Sequence, residues 1–191
     1  MIILSKLVIF LPILFLTGCD LFESREPESP SETKSSYRVP VEPSDVIENL
    51  INSFKDKNSN DYKKNFSSGP PLYDRTFYFA PSTNVLTIFP VPWTIAQEFQ
   101  YFNNLVIRIP ENTQINLSFT EEEYDLQADS AIYSATYSIS VPVQNSNPII
   151  YKGNLKFFMA QDNSVWAIYY WEDTTIQESS SWSNLKVEFY L

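Results

Sequence analysis

The sequence predicts an α+β domain. Two observations carry that expectation: apolar residues recur at helical spacing up to about residue 110 and at a spacing of two beyond it. A third is the placement of breakers, with Gly69-Pro70-Pro71 and Pro110 dividing the periodic segments. Val46, Ile47, Leu50, Ile51 and Phe54 form one apolar stripe, with Ser44 ahead of it as an N-cap. Asp45 and Glu48 at its start and Lys55 and Lys57 at its end match the helix macrodipole, so a helix is expected over 45–57. Asn58-Ser59-Asn60 ends it, and Asp61 to Phe66 reads as a second, short helix. Leu72 to Phe79 alternates large residues on both faces, as in a strand covered on both sides. A proline-punctuated connection from Ala80 to Pro92 leads to a third helix from Trp93 to about Asn104, carrying Ile95, Phe99 and Phe102.

Period two then takes over. Ile115, Leu117 and Phe119 alternate with polar residues, and so do Ala131, Tyr133, Ala135, Tyr137, Ile139 and Val141, which predicts two antiparallel strands with one dry and one wet face. The acidic run Glu121-Glu122-Glu123, with Asp125 and Asp129, falls where these strands should join and is expected as a solvated hairpin tip. It lacks the order of acidic residues and the glycine of an EF-hand, so a calcium-like cation is the lesser reading. Ile149 to Met159 is a further strand with Gly153 as a bulge or bend, and Val165 to Trp171 another with bulky residues on both faces. Trp182 to Tyr190 fits a short helix or an edge strand.

Composition excludes several functions. The 191 residues carry 13 basic and 23 acidic side chains, net −10, a balance that repels phosphate backbones, so no nucleic-acid partner is expected. There is no histidine, which removes every catalytic scheme built on imidazole and the commonest metal ligand. Three glycines leave no phosphate-cradling loop, and one cysteine leaves no internal disulfide. No cofactor and no metal site is implied.

The N-terminus has its own signature. Lys6, an apolar stretch from Leu7 to Leu16 and the small residues Thr17 and Gly18 precede Cys19. The run is shorter than the roughly 20 residues of a membrane span and has the layout of a secretory signal. Leu16-Thr17-Gly18-Cys19 resembles a bacterial lipobox, which implies cleavage after residue 18 and a lipid thioether on Cys19. The expected organisation is a signal peptide over 1–18, a lipidated tether over 19–43 rich in Ser, Glu and Pro, and a domain over 44–191. The implied place is a bacterial membrane, with the domain held by the lipid and facing outside the cytoplasm. Asp20 resembles the signal that keeps some lipoproteins in the inner membrane.

The order of helix, short helix, strand, helix and meandering strands resembles the nuclear-transport-factor-two-like superfamily. Asp61-Tyr62, Tyr78-Phe79-Ala80-Pro81, Pro92-Trp93 and Trp166 with Trp171-Glu172-Asp173 are similar to the domain of lipoproteins in that superfamily. The resemblance implies a curved antiparallel sheet wrapped around N-terminal helices into a cone. It also implies a choice of functions, since that cone hosts enzymes and plain binding modules alike.

The candidate pocket lining is aromatic: Trp93, Tyr101, Tyr133, Tyr137, Trp166 and Tyr170, with Tyr133 and Tyr137 on one face of a strand and Trp166 and Tyr170 on one face of another. The same residues would equally fill a core. Asp74, Glu98 and Glu172 are the carboxylates on elements that reach a cone interior, and each is read first as a solvated surface group. The expected function is a binding module for a small apolar ligand or a protein partner, without catalysis. The alternatives are an isomerase or dehydratase with a carboxylate base and tyrosine donors, and an interaction module, such as a homodimer, pairing through the outer sheet face.

Overall fold

The computed structural model describes residues 35–90, 92–176 and 179–190. Cys19, the signal peptide and most of the tether therefore lie outside the described residues. The first helix, α1 (Pro43–Asp56), starts with a proline at its first position, where a missing N–H is harmless. Asp45 accepts from the backbone N–H groups of Val41 and Glu42, so Glu42 is the N-cap where Ser44 was expected. The packed chain also reaches back into the segment expected as tether. Asn49 exchanges hydrogen bonds with the backbone of Arg38, and the carbonyl of Pro40 accepts from Trp166 N–H.

Helix α2 (Ser59–Lys63) is capped by Asn58, whose side chain accepts from the N–H groups of Asn60 and Asp61. Strand β1 (Tyr78–Ala80) is much shorter than the expected Leu72 to Phe79, because the segment around Pro70-Pro71 runs through turns and leaves Leu72 exposed. β1 is also covered on one side only, with Phe79 buried and Tyr78 open. Helix α3 (Ile95–Arg108) starts two residues after Trp93, where Thr94 and Gln97 form a capping box, and runs four residues past Asn104.

The sheet order is β1-β5-β4-β3-β2, from β2 (Asn116–Leu126), β3 (Ser130–Val141), β4 (Ile149–Asp162) and β5 (Val165–Thr175). Its pairs are antiparallel except β1 with β5, which is parallel. The α+β class and the curved sheet packed on helices are as expected. Glu121-Glu122-Glu123 is not the hairpin tip: the run lies inside β2 at a bulge, with Glu121 at φ 53°, and the turn falls at residues 127–129. Gly153 is not a bulge either. It pairs in regular register with Tyr137 and Thr175, and the bulge of that sheet region lies at Tyr169.

The last segment is helix α4 (Trp182–Tyr190). Trp182, Leu185, Lys186 and Phe189, at positions i, i+3, i+4 and i+7, are its buried face. They meet α1 and α3 in one aromatic core, where Trp182 packs edge-on against Phe54 and Trp171. Among the described residues no helix is long and apolar enough to cross a membrane.

Candidate functional site

Three of the six aromatic candidates meet at the centre of the fold. Tyr101 and Tyr137 converge on Trp182, whose indole N–H donates to the Tyr101 hydroxyl at 3.0 Å and whose backbone N–H donates to the Tyr137 hydroxyl at 2.6 Å, and the Trp93 ring lies beside Tyr101 at 6.4 Å between centroids. Tyr133 is buried elsewhere, stacked on Phe157, with its hydroxyl donating to Glu122 at 2.8 Å. Trp166 and Tyr170 do not share a face. The extra residue at Tyr169 shifts the alternation, so Trp166 is buried while Tyr170 stands on the outer sheet face between Tyr78 and Phe158.

Glu98 is the carboxylate whose place differs most from expectation. Its position on α3 turns it into the core, and it has 0% exposure. It accepts from the Tyr62 hydroxyl at 2.5 Å and from the Trp93 indole N–H at 2.6 Å. Its third partner is the ammonium of Lys186, also at 0% exposure, which donates to both carboxylate oxygens. Rings surround that ammonium: Trp171 at 3.8 Å, Phe79 at 4.2 Å, Tyr101 at 5.1 Å and Trp93 at 5.5 Å from the ring centroids. The Trp171 indole N–H has no hydrogen-bond partner among the described residues. Asp74 is exposed, and Glu172 lies half-buried on the outer face.

A second buried carboxylate, Asp173, belongs to the Trp171-Glu172-Asp173 motif of the resemblance but was not among the candidate carboxylates. It accepts from the Tyr137 hydroxyl at 2.6 Å and from Ser183 N–H at 2.8 Å and Oγ at 2.5 Å, so it caps α4 as it enters the core. Burial first, and the neighbouring carboxylate second, push Tyr62 (beside Glu98) and Tyr137 (beside Asp173) well above the ordinary phenol range. Both therefore stay protonated and act as donors. Burial lowers Lys186 from 10.5 to about 8 against the opposing pull of Glu98, which leaves it charged at neutral pH.

These are carboxylate–tyrosine pairs of the kind base chemistry uses, and each is buried with its partners among the described residues. Trp93, Tyr101 and Tyr133 show 0% exposure and Tyr137 1%. The open grooves are outside, one of about 600 Å³ on the outer sheet face among Glu121, Glu123, Thr136, Asn154, Lys156 and Glu172. Among the described residues no group of three or more acidic, cysteine or histidine side chains is placed to hold a metal ion.

No protein-family profile matches the chain, and neither does any curated protein. Solved structures do match. A protein of Novosphingobium aromaticivorans, provisionally assigned as an aromatic-ring hydroxylase, is similar over 74% of this chain and 92% of its own, with 11% identity and a TM-score of 0.57. A Xanthomonas campestris protein, provisionally assigned as a calcium/calmodulin-dependent protein kinase II association domain, is similar over 76% and 97%, with 11% identity and a TM-score of 0.55. A Streptomyces avermitilis protein of the NTF2-like family, provisionally assigned as a dehydratase, is similar over 69% and 92%, with 8% identity and a TM-score of 0.53.

The fold is the NTF2-like cone. At these identities the likeness carries architecture alone. In this chain the interior of the cone is occupied by α4, which brings Trp182, Leu185, Lys186 and Phe189 between the sheet and the other helices.

Lys186 is the buried charged residue that sequence reading missed. Its signal was present, a lysine four residues after Trp182 and three before Phe189, but it required the last segment to be read as a helix.

Proposed function

We propose that this chain is an interaction module, held outside the cytoplasm by a lipid on Cys19, that works through the exterior of its cone without a catalytic step. One observation carries the reading: the core positions that would receive a ligand or proton are engaged by the chain itself. Glu98 is held by Tyr62, Trp93 and Lys186, and Asp173 by Tyr137 and Ser183. An isomerase or dehydratase would need one of these carboxylates free to accept a proton from its substrate. The small apolar ligand loses its room for the same reason, which leaves a protein partner.

Self-association through the outer sheet face is the form of this reading that a specific feature favours. Lys152 and Lys156 on β4 lie on the face that also carries Glu123 on β2 and Glu172 on β5, so one face presents both signs of charge to a second copy of itself. The Xanthomonas campestris neighbour described as an association domain is in keeping with it.

Native mass spectrometry of the protein purified from membranes tests the first part. The expected spectrum shows protein and lipid mass without a further bound compound, and a stoichiometric small molecule that leaves on unfolding would overturn the reading. Light scattering of the soluble domain, with Lys156→Glu and Glu172→Lys alone and combined, tests pairing: each single change should weaken a dimer and the double change restore it. A fatty-acid analogue should label the wild type, and equal labelling of Cys19→Ser would remove the anchor.

A further inference from the structure

We infer that the centre of the cone is a receptor for a primary ammonium group on an aliphatic stem, and that Lys186 is its resident ligand. This rests on the reading that the chain fills its own cone. The parts of the receptor and the ligand come from different elements. The carboxylate of Glu98 and the ring of Tyr101 belong to α3, Trp93 precedes that helix, Phe79 belongs to β1, Trp171 to β5 and Tyr62 to α2. Only the amine belongs to α4.

Each receptor group is oriented without help from Lys186. The Tyr62 hydroxyl and the Trp93 indole N–H fix the Glu98 carboxylate. Tyr62 is itself stacked on Phe102 at 3.9 Å with an interplanar angle of 4°, and Trp171 packs edge-on against Phe79 at 4.8 Å and Phe157 at 5.1 Å. The four ring faces and the two carboxylate oxygens then offset part of what an ammonium loses on leaving water, through quadrupole attraction around it and charge-assisted hydrogen bonds in front of it.

Stability alone does not account for this arrangement, because a buried ion pair is commonly no better than apolar residues of the same volume. The way α4 lies in the cone matches a helix seated in a groove, with Trp182, Leu185 and Phe189 as apolar anchors and Lys186 as the charged one. The class of ligand follows from the geometry. It must carry N–H donors for Glu98 and be slim enough to pass between the rings, which selects primary amines, in their protonated form at neutral pH, over quaternary ones and over alcohols.

The test uses the full chain with Lys186→Ala, which removes the side chain from Cγ to Nζ, a fragment equivalent to n-propylammonium. Thermal unfolding at pH 7 is followed for wild type and K186A in n-propylammonium chloride, tetramethylammonium chloride and 1-propanol at matched ionic strength. K186A should melt several degrees below wild type. Its melting temperature should rise with n-propylammonium concentration, as expected for a ligand that binds only the folded state, and respond to neither of the other solutes. Wild type should not move.

An equal response to 1-propanol, or a folded K186A that n-propylammonium does not stabilise, overturns the proposal. Where K186A does not fold unaided, its refolding yield in the three solutes gives the same comparison: recovery in n-propylammonium alone supports the site, and equal recovery or none overturns it. Glu98→Gln in the K186A chain should abolish the response, and a retained response also overturns the proposal. Failure of the filled-cone reading is seen separately, as a small molecule released by wild type.

Discussion

Lys186 shows how one side chain sets the chemistry of the interior. Lys186→Met keeps the volume but leaves Glu98 buried without its cation, and it should cost about 3–5 kcal/mol, with Glu98→Gln recovering part of the loss in the double variant. Urea titration of the three variants checks both expectations. The same residue gives a pH signature. Its folded pKa, about 8, lies below the free value of 10.5, so between these values the unfolded chain holds a proton that the folded one has released. Its contribution to stability therefore rises as pH climbs through that window. The stability of wild type relative to K186M should grow from pH 8 to 10, and a flat difference would contradict the lowered pKa.

Two tyrosines that look alike in sequence separate at this scale. Tyr137→Phe removes a donor to Asp173 and an acceptor for Trp182 N–H inside the core, and should cost about 1–3 kcal/mol. Tyr170→Phe, on the outer face, should stay within about 0.5 kcal/mol. Equal losses in chemical denaturation would contradict the placement of Tyr170 outside.

At the scale of elements, β4 and α4 depend on each other through Gly153. A Cβ there would collide with the Tyr137 hydroxyl and lie 2.6 Å from the Thr174 carbonyl oxygen. Glycine keeps open the path by which the Tyr137 side chain crosses its neighbour strand and reaches Trp182 and Asp173. Gly153→Ala should therefore destabilise by about 1–3 kcal/mol, the range for a forced fit in a packed site. It should also weaken the protection of α4 amides in hydrogen exchange, and an unchanged exchange pattern would show that α4 docks without Tyr137. The bulge at Tyr169 works the other way, keeping Trp171 and Asp173 inside while Tyr170 turns out. A sequence pattern of period two has no means of marking the extra residue.

For the whole molecule, the interior is held by phenols and carboxylates that must keep one protonation pattern. Tyr62, Tyr101 and Tyr137 are raised above the ordinary value of 10.0, with burial as the first cause in each. An acid whose folded pKa is raised contributes stability that is present below its unfolded pKa and lost as pH rises above it. Stability should fall steeply above about pH 10, with the phenolate absorbance of these residues appearing only as the near-ultraviolet circular dichroism disappears. Phenolate formation well ahead of unfolding would mean that the cone is open to water.

The helical stripe of α1, the alternation of β3 and the breakers at Gly69-Pro70-Pro71 and Pro110 determined the class and most of the element order, because periodic burial is written directly into residue spacing. The resemblance carried by Tyr78-Phe79-Ala80-Pro81 and Pro92-Trp93 anticipated the cone. Tertiary structure decided what fills it. Whether Glu98 faces water or a lysine depends on a partner 88 residues away, and whether Trp166 and Tyr170 share a face depends on one unpaired residue in β5. Local spacing records which side of an element is buried, whereas the identity of what it is buried against is a property of the packed chain.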